Sequence, residues 1–262
     1  MSTFNWREKP PEEHSTVGDW LMLDFDLSPL KMLHRNTLIK RRSAGRESTI
    51  QLIAANIDTL FIVTSCNAEF NLNRVERYLA LAAESHIAAV VVMTKRDLCD
   101  DETIYTNPLR ADYPDLPIET INATDATEVD VLSHWCGCGN TVALVGSSGV
   151  GKSSIINSLK GTAAQATAAI RETDSKGRHT TTSRSLHQLA GKALLIDTPG
   201  MRELQIVDCE AGLQSTFSDI NDLAPACRFA DCQHKTEPGC AVRHEVDSGR
   251  LDQRRLDNYH KL

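Results

Sequence analysis

The sequence predicts an α/β fold with a mostly parallel sheet, preceded by a small β unit and followed by a cysteine-rich segment. Three observations carry that expectation. From Ile57 onward, apolar runs of strand length alternate with segments at helical spacing. A glycine-rich loop joins one such strand to one such helix. Charge and cysteine content then change at the two ends. The 262 residues correspond to one or two domains at about 150 residues each, enough to bury a core. Hydrophobic residues at 41% and charged residues at 24% exclude wholesale disorder. The longest apolar run, residues 87–93, is far too short to cross a bilayer. Residues 1–11 are polar and proline-bearing, without the apolar core or cleavage site of a signal peptide, so a cytoplasmic protein with no membrane partner is expected. The eight cysteines then read as reduced thiols or metal ligands. A formal net charge of −7 disfavours generic binding to nucleic acid and restricts any such contact to a local patch.

Taken in order, Gly18-Asp19 before Trp20-Leu21 reads as a turn, and Leu33, Leu38 and Ile39 as short strands. Residues 31–46 carry Lys31, Arg35, Lys40, Arg41, Arg42 and Arg46 and no acidic residue. Such a basic face is either a solvated strand surface or a contact surface for phosphate backbone. Leu60-Phe61-Ile62-Val63 is a buried strand, and Leu72, Val75, Leu79 and Ala82-Ala83 recur at helical spacing. Residues 87–93 form a second strand and 117–121 a third, with Val129 and Leu132 on a following helix. Residues 141–145 form a strand, glycines follow, and a helix runs from about 152 to 159; another strand covers 193–196. Strands alternating with helices argue for a sheet covered on both faces. After about Gln205 this pattern gives way to a short cysteine-rich region and a charged helical tail.

The loop Gly146-Ser147-Ser148-Gly149-Val150-Gly151-Lys152-Ser153, continued by Ser154, fits G-x-x-x-x-G-K-[ST] completely and lies between a strand and a helix, the context the motif requires. Glycines let the backbone wrap phosphates without Cβ clashes, successive N–H groups point inward, and the helix N-terminus adds about half a positive charge. Lys152 is placed to reach the β- and γ-phosphates and Ser153 to hold Mg²⁺. Leu194-Leu195-Ile196 leads into Asp197-Thr198-Pro199-Gly200, where Asp197 would bind Mg²⁺ and the Gly200 amide would approach the γ-phosphate. The strand 90–93 runs into Thr94-Lys95-Arg96-Asp97, a match to the guanine-reading [NT]-K-x-D element. A carboxylate such as Asp97 accepts two hydrogen bonds from guanine, whereas adenine offers no such donor pair, so the site can discriminate by about 10⁴ or more. Lys95 would lie along the base, and Asn122-Ala123 would supply an N–H to guanine O6.

The guanine element precedes the phosphate loop here, whereas it comes last in an ordinary GTPase; the same parts are circularly permuted. Permutation is feasible because domain termini often lie close together. Farther on, Cys227-x4-Cys232-x-His234-x5-Cys240 places three thiols and an imidazole within residues 227–240, the donor set of a closed structural zinc site. Cys66, Cys99, Cys136, Cys138 and Cys209 lack such partners and read as ordinary thiols.

These stretches, with Ala54-Ala55-Asn56-Ile57-Asp58, Gly177-Arg178-His179-Thr180-Thr181-Thr182 and Glu237-Pro238-Gly239, resemble the ribosome small subunit-dependent GTPase A family. The resemblance runs from about Leu33 to the C-terminus. It implies an OB-like β region (1–52, shortened, with the basic face), a circularly permuted GTPase domain (53–206) and a zinc-binding helical C-terminal domain (207–262). It further implies a GTP hydrolase that binds the small ribosomal subunit and its rRNA late in assembly and is stimulated by it. One structural Zn²⁺ per chain, Mg²⁺ with GTP, and a monomer are expected. Switch I would be residues 177–182, with one of its threonines on Mg²⁺, Thr181 ahead of Thr180 and Thr182. Met201 stands where Ras-like enzymes place a water-orienting glutamine, and His179 is the candidate replacement. The departures are a region before the GTPase domain that is short for a five-stranded barrel, a short tail after Asn258-Tyr259, and Asn122-Ala123 in place of the usual Ser-Ala. Two other readings compete: a GTP-binding rRNA module with little hydrolysis, and an ATP-dependent P-loop kinase.

Overall fold

Two antiparallel ribbons come first: β1 (Leu21–Leu23) with β2 (Pro29–Met32), and β3 (Leu38–Arg42) with β4 (Ile50–Ala55). The computed structural model describes residues 9–42, 50–161, 185–189, 191–197 and 210–262. A six-stranded sheet follows, built from β5 (Thr59–Ser65), β6 (Ala88–Thr94), β7 (Ile118–Thr120), β8 (Thr141–Val145), β9 (Ser185–Gln188) and β10 (Leu194–Asp197). Its spatial order is β7-β6-β5-β8-β10-β9, with all pairs parallel except the antiparallel edge strand β9. Strand β5 is central and buried along its whole length, which is why its sequence is a continuous apolar run rather than an alternating one.

The two faces of β5 feed two cores. Leu60 and Ile62 pack with Val75 and Leu79 of α1 (Leu72–Glu84) and with Leu109 of α2 (Thr103–Asp112). Phe61 and Val63 pack with Val129 of α3 (Ala126–Val129), Leu132 of the 3-10 turn Asp130–Trp135, and Ile155 of α4 (Lys152–Lys160). Helix α1 starts cleanly because the Asn71 side chain caps it, accepting from the Arg74 N–H.

The strands expected from sequence form within a residue or two of their expected limits, as does the helix after the phosphate loop. Helix α2 and strand β9 were not anticipated. Only Thr106 and Leu109 are buried in α2 and Pro108 interrupts it, so it carries no apolar stripe to read.

The 54–58 stretch joins the β ribbons to the sheet. Asn56 adopts a left-handed backbone, a conformation asparagine tolerates better than most residues. Its side chain accepts from the Asn36 N–H at 2.9 Å and donates to the Gly18 carbonyl at 2.9 Å. Gly18 has φ +92° and a Cβ there would sit 2.0 Å from the Ala55 carbonyl oxygen, so only glycine fits. Asp58 accepts from the Thr141 N–H at 2.7 Å, tying the start of β5 to the start of β8.

The C-terminal part comprises α5 (Glu210–Thr216), α6 (Ser218–Leu223), α7 (Ala241–Asp247) and α8 (Gln253–Tyr259) around a small core of Phe217, Ile220, Val242, Leu251 and Leu256. It grips α1 at two places. Gly212 lies against α1, where a Cβ would meet the Ala80 carbonyl oxygen at 2.0 Å, and its N–H donates to Glu84 Oε2 at 2.8 Å. The second grip is ionic. Glu76 of α1 is fully buried, and its carboxylate receives Arg254 and Arg255 of α8, each at 3.1 Å, and the Asn258 amide. Arg255, 3% exposed, also donates to Asp219, to the Thr216 carbonyl and to the Tyr113 hydroxyl, and it lies over the Phe217 and Tyr113 rings. Burial raises the Glu76 pKa, against the pull of the two guanidinium groups.

Breaking such a pair from one side leaves a buried charge uncompensated, which costs about 3–5 kcal/mol. Glu76→Ala should lower unfolding free energy by that amount in urea denaturation. A loss below about 1 kcal/mol would mean that the cluster is solvated and weak.

Candidate nucleotide site and metal centre

The C-terminal ends of β6, β5, β8 and β10 lie side by side, the edge of an open parallel sheet where ligands bind. The loop after β8 fills the middle of this edge. Gly146 has φ +141°, and a Cβ would fall 2.1 Å from the Val63 carbonyl oxygen of β5. Gly149 and Gly151 also have positive φ, so the three glycines supply backbone shapes that L side chains strain to adopt. Ser148 and Gly149 are exposed at the crest, Val150 is buried beneath it, and Ser153 and Ser154 lie in the first turn of α4. The Lys152 ammonium folds back over the loop, donating to the Gly146 carbonyl at 2.7 Å and to the Ser147 carbonyl.

Thr94 ends β6 and is fully buried. Its Oγ1 lies 3.0 Å from the Thr64 carbonyl oxygen and 2.6 Å from the Val150 carbonyl oxygen. A hydroxyl has one proton, here shared between the neighbouring strand and the phosphate loop. A Cβ on Gly151 would meet Ala123 at 3.3 Å and Thr94 at 3.4 Å, so the 94–97 and 122–123 segments both abut the Val150–Gly151 end of the loop. Lys95 is left-handed, φ +60°, which turns the chain so that Asp97 reaches solvent at the sheet edge. The Asn122 N–H is taken by Glu128 Oε2 at 2.8 Å, and the Asn122 side chain accepts from Thr124. Of the two amides expected to face a base, Asn122 is thus committed and Ala123 remains the candidate. Asp197 closes β10 beside the loop-bearing strand.

Arg74 was not singled out from sequence. It is exposed on the first turn of α1, and its Nη1 donates to the Ser147 hydroxyl. Nothing local marks it, because an arginine on the polar side of an amphipathic helix reads as a solvated charge. Glu128, which fixes Asn122, was missed for the same reason.

In the C-terminal part, Cys227, Cys232, His234 and Cys240 bring four donor atoms within 4.8 Å of one another. Cys227 Sγ lies 3.6 Å from His234 Nδ1 and 3.8 Å from Cys240 Sγ, and His234 Nδ1 lies 3.4 Å from Cys240 Sγ. With metal–sulfur and metal–nitrogen bonds of about 2.3 and 2.0 Å, tetrahedral edges come out near these separations, so the donors fit one ion. The loop between them is held by Glu237, which accepts from the N–H groups of Gln233, Lys235 and Thr236. Its own backbone N–H, and after it those three, hold the Glu237 carboxyl down at about 2. Gly239, φ +76°, lets the chain pass Arg228 on the way to Cys240. Burial lowers the His234 pKa, favouring the neutral imidazole a metal needs.

The expected basic face is only partly outward. Arg35 is an internal strut: it pairs with Asp19, Nη2 to Oδ2 2.7 Å, and donates to the carbonyls of Glu12 and His14. Lys40 pairs with Glu12 at 3.0 Å, Arg41 donates to Gln51, and Lys31 is exposed. Arg42 ends β3. Arg46, His179, Thr181 and Gly200 lie outside the described residues.

The permuted order is therefore realised in space, with the guanine-type element and the phosphate loop bonded to each other. Residues 32–207 match the family model described as RsgA GTPase. The chain belongs to the RsgA GTPase family. It is 53% identical to "Small ribosomal subunit biogenesis GTPase RsgA 2" of Vibrio parahaemolyticus, covering 94% of this chain and 69% of that protein. It is 49% identical to the protein named "Small ribosomal subunit biogenesis GTPase RsgA" of Mesorhizobium japonicum, covering 94% and 72%. Among solved structures, YjeQ from Thermotoga maritima superposes with a TM-score of 0.67 at 25% identity, covering 95% of this chain and 84% of that one. YloQ, titled a circularly permuted GTPase, gives 0.64 at 24%, covering 95% and 80%, a likeness of fold. No helix among the described residues is long and apolar enough to cross a membrane.

Removing the Thr94 hydroxyl without changing its shape should leave the Val150 carbonyl unpaired, at about 1–3 kcal/mol. Thr94→Val is expected to weaken binding of guanosine di- and triphosphate alike, by about tenfold, in titrations with a fluorescent nucleotide. An unchanged affinity would show that the loop holds its shape without this bond.

Proposed function

We propose that this chain hydrolyses GTP to GDP and phosphate, and that it does so on the small ribosomal subunit, coupling hydrolysis to a late step of that subunit's maturation. The observation that supports this reading best is the Thr94–Val150 bond, which sets a guanine-type reading element against one end of a phosphate loop. The names of the relatives supply the ribosomal context. In this reading Asp97 accepts from the guanine ring, Lys95 lies along the base, and the Ala123 N–H meets O6. The loop amides from Gly146 to Ser154 cradle the phosphates, with the Gly200 amide toward the γ-phosphate, and the Lys152 ammonium moves from its carbonyl partners to the β- and γ-oxygens. Ser153, Thr181 and Asp197 would hold Mg²⁺, which neutralises charge on the phosphate oxygens when bound. His179 positions the attacking water, since Met201 has no group to do so.

The four-donor centre takes zinc in a structural role, all four positions being filled by protein. Residues 1–52, 53–206 and 207–262 act as the rRNA-facing β region, the GTPase domain and the zinc domain. Lys31, Lys40, Arg41, Arg42 and Arg46 are the cations of that face available to rRNA phosphates, while Arg35 braces it from within. The protein works as a cytoplasmic monomer.

Calorimetry should find GTP bound far more tightly than ATP, and Asp97→Ala should remove most of that preference, up to about 10⁴-fold. Equal binding of the two nucleotides by the unaltered chain would favour the kinase reading instead. Intrinsic turnover should be slow, roughly 10⁻⁴ to 10⁻² s⁻¹, and should rise when small subunits are added. In single-turnover phosphate release, His179→Ala should abolish that rise. An undiminished stimulated rate would remove His179 from the mechanism.

A further inference from the structure

A cation that the family motifs do not include stands at the phosphate loop. Arg74 projects from the first turn of α1, and its Nη1 donates to the hydroxyl of Ser147, the second residue of the loop. The carbonyl of the same serine receives the Lys152 ammonium. Two positive charges therefore converge on Ser147, one on its hydroxyl and one on its carbonyl. No carboxylate among the described residues lies within ion-pair distance of Arg74, in contrast to Arg254 and Arg255 beyond it. An exposed guanidinium held by a single neutral hydroxyl is poorly satisfied, with five donors in a fork shaped for phosphate or carboxylate oxygens.

The direction of the nucleotide follows from the loop's neighbours. The base-reading segments abut its Val150–Gly151 end through the Thr94–Val150 bond and the approach of Ala123 to Gly151. The N-terminus of α4 lies at that same end and cradles the phosphates nearer the ribose. A triphosphate that starts there runs toward the Gly146–Ser147 end, where Lys152 folds over the carbonyls and Arg74 waits. The terminal phosphate is thus the group that arrives next to Arg74, and it is the group absent from GDP.

On the reading of the site as a GTP site, we propose that Arg74 binds the terminal phosphate of GTP and thereby sets the preference for GTP over GDP. On binding, the guanidinium exchanges the Ser147 hydroxyl for a phosphate oxygen, a charge-assisted bond roughly twice as strong as a neutral one. The same helix carries Asn73 and Glu76, which hold Arg254, Arg255 and Asn258 of the C-terminal part. Arg74 thus lies next to Asn73 and two residues before Glu76, the residues of α1 that grip α8.

The test is titration of the full chain and its Arg74→Ala, Arg74→Lys and Ser147→Ala variants with fluorescent GDP and a fluorescent non-hydrolysable GTP analogue. Arg74→Ala should weaken the analogue by about tenfold or more and GDP by less than about twofold. Arg74→Lys should recover part of the loss. Ser147→Ala removes the hydroxyl but not the guanidinium, so any loss it causes should fall equally on GDP and the analogue. Arg77→Ala, an exposed charge on the same helix, should change neither nucleotide and so reports any long-range field effect. Equal losses for GDP and the analogue would overturn the proposal, as would a Ser147→Ala defect matching that of Arg74→Ala, because Arg74 would then act only on the loop. If the unaltered chain bound neither guanine nucleotide, the GTP-site reading itself would fall. If it bound both and Arg74→Ala left their ratio intact, only the role of Arg74 would.

Discussion

One buried hydroxyl proton, shared between two backbone carbonyls, fixes the separation on which the nucleotide site depends. Guanosine has a set length from base to phosphates, so the residues that read the base must stand at a constant distance from the loop that holds the phosphates. Thr94 and Val150 are 56 positions apart in the chain, yet the site needs them within a bond length of each other. The sheet supplies the rough placement, because β5 lies between β6 and β8 and pairs with both. Thr94 supplies the fine one. Because both forces act between strands rather than along the backbone, the order in which the elements are synthesised does not matter. That is why the permuted sequence yields an ordinary arrangement of parts.

Short-range chemistry was legible in the amino-acid sequence. The phosphate loop, the 94–97 element and the 227–240 donors are each compact, and each needs particular residue types at particular spacings. The buried strands were legible because burial on both faces forces unbroken apolar runs. What could not be read depends on partners far away in the chain. Arg35 looks like every other cation of 31–46, and only the approach of Asp19, Glu12 and His14 makes it structural. Thr94 looks like part of the base-reading motif, whereas its side chain holds the loop. Helix α1 has an evident apolar stripe, but the stripe says nothing of what its polar residues meet. Helix α2, with a proline inside and little buried surface, leaves no pattern at all.

Helix α1 is the element where these long-range contacts accumulate. Its first turn touches the phosphate loop through Arg74, its middle carries the buried Glu76, and its last turn receives Gly212. Along the chain, the nucleotide site and the cysteine-rich region are connected by the segment that follows Asp197. Residues 198–209 lie outside the described structure, whereas α1 joins the two regions by direct contact. Two of the four candidate metal donors, Cys232 and His234, line one cavity with Tyr259 and His260 at the end of α8, so the helix that grips α1 also borders the donor cluster.

The Glu76 cluster also sets a timetable. The carboxylate is made 178 residues ahead of the nearer guanidinium that neutralises it, so α1 is synthesised long before Arg254, Arg255 and Asn258. Until those residues emerge, α1 carries an anion without its two guanidinium partners, and it resists being dehydrated. A nascent chain can assemble its sheet and its phosphate loop, but it cannot seal this helix. Final consolidation of the nucleotide-binding half therefore waits until α8 has been made and has folded back onto α1.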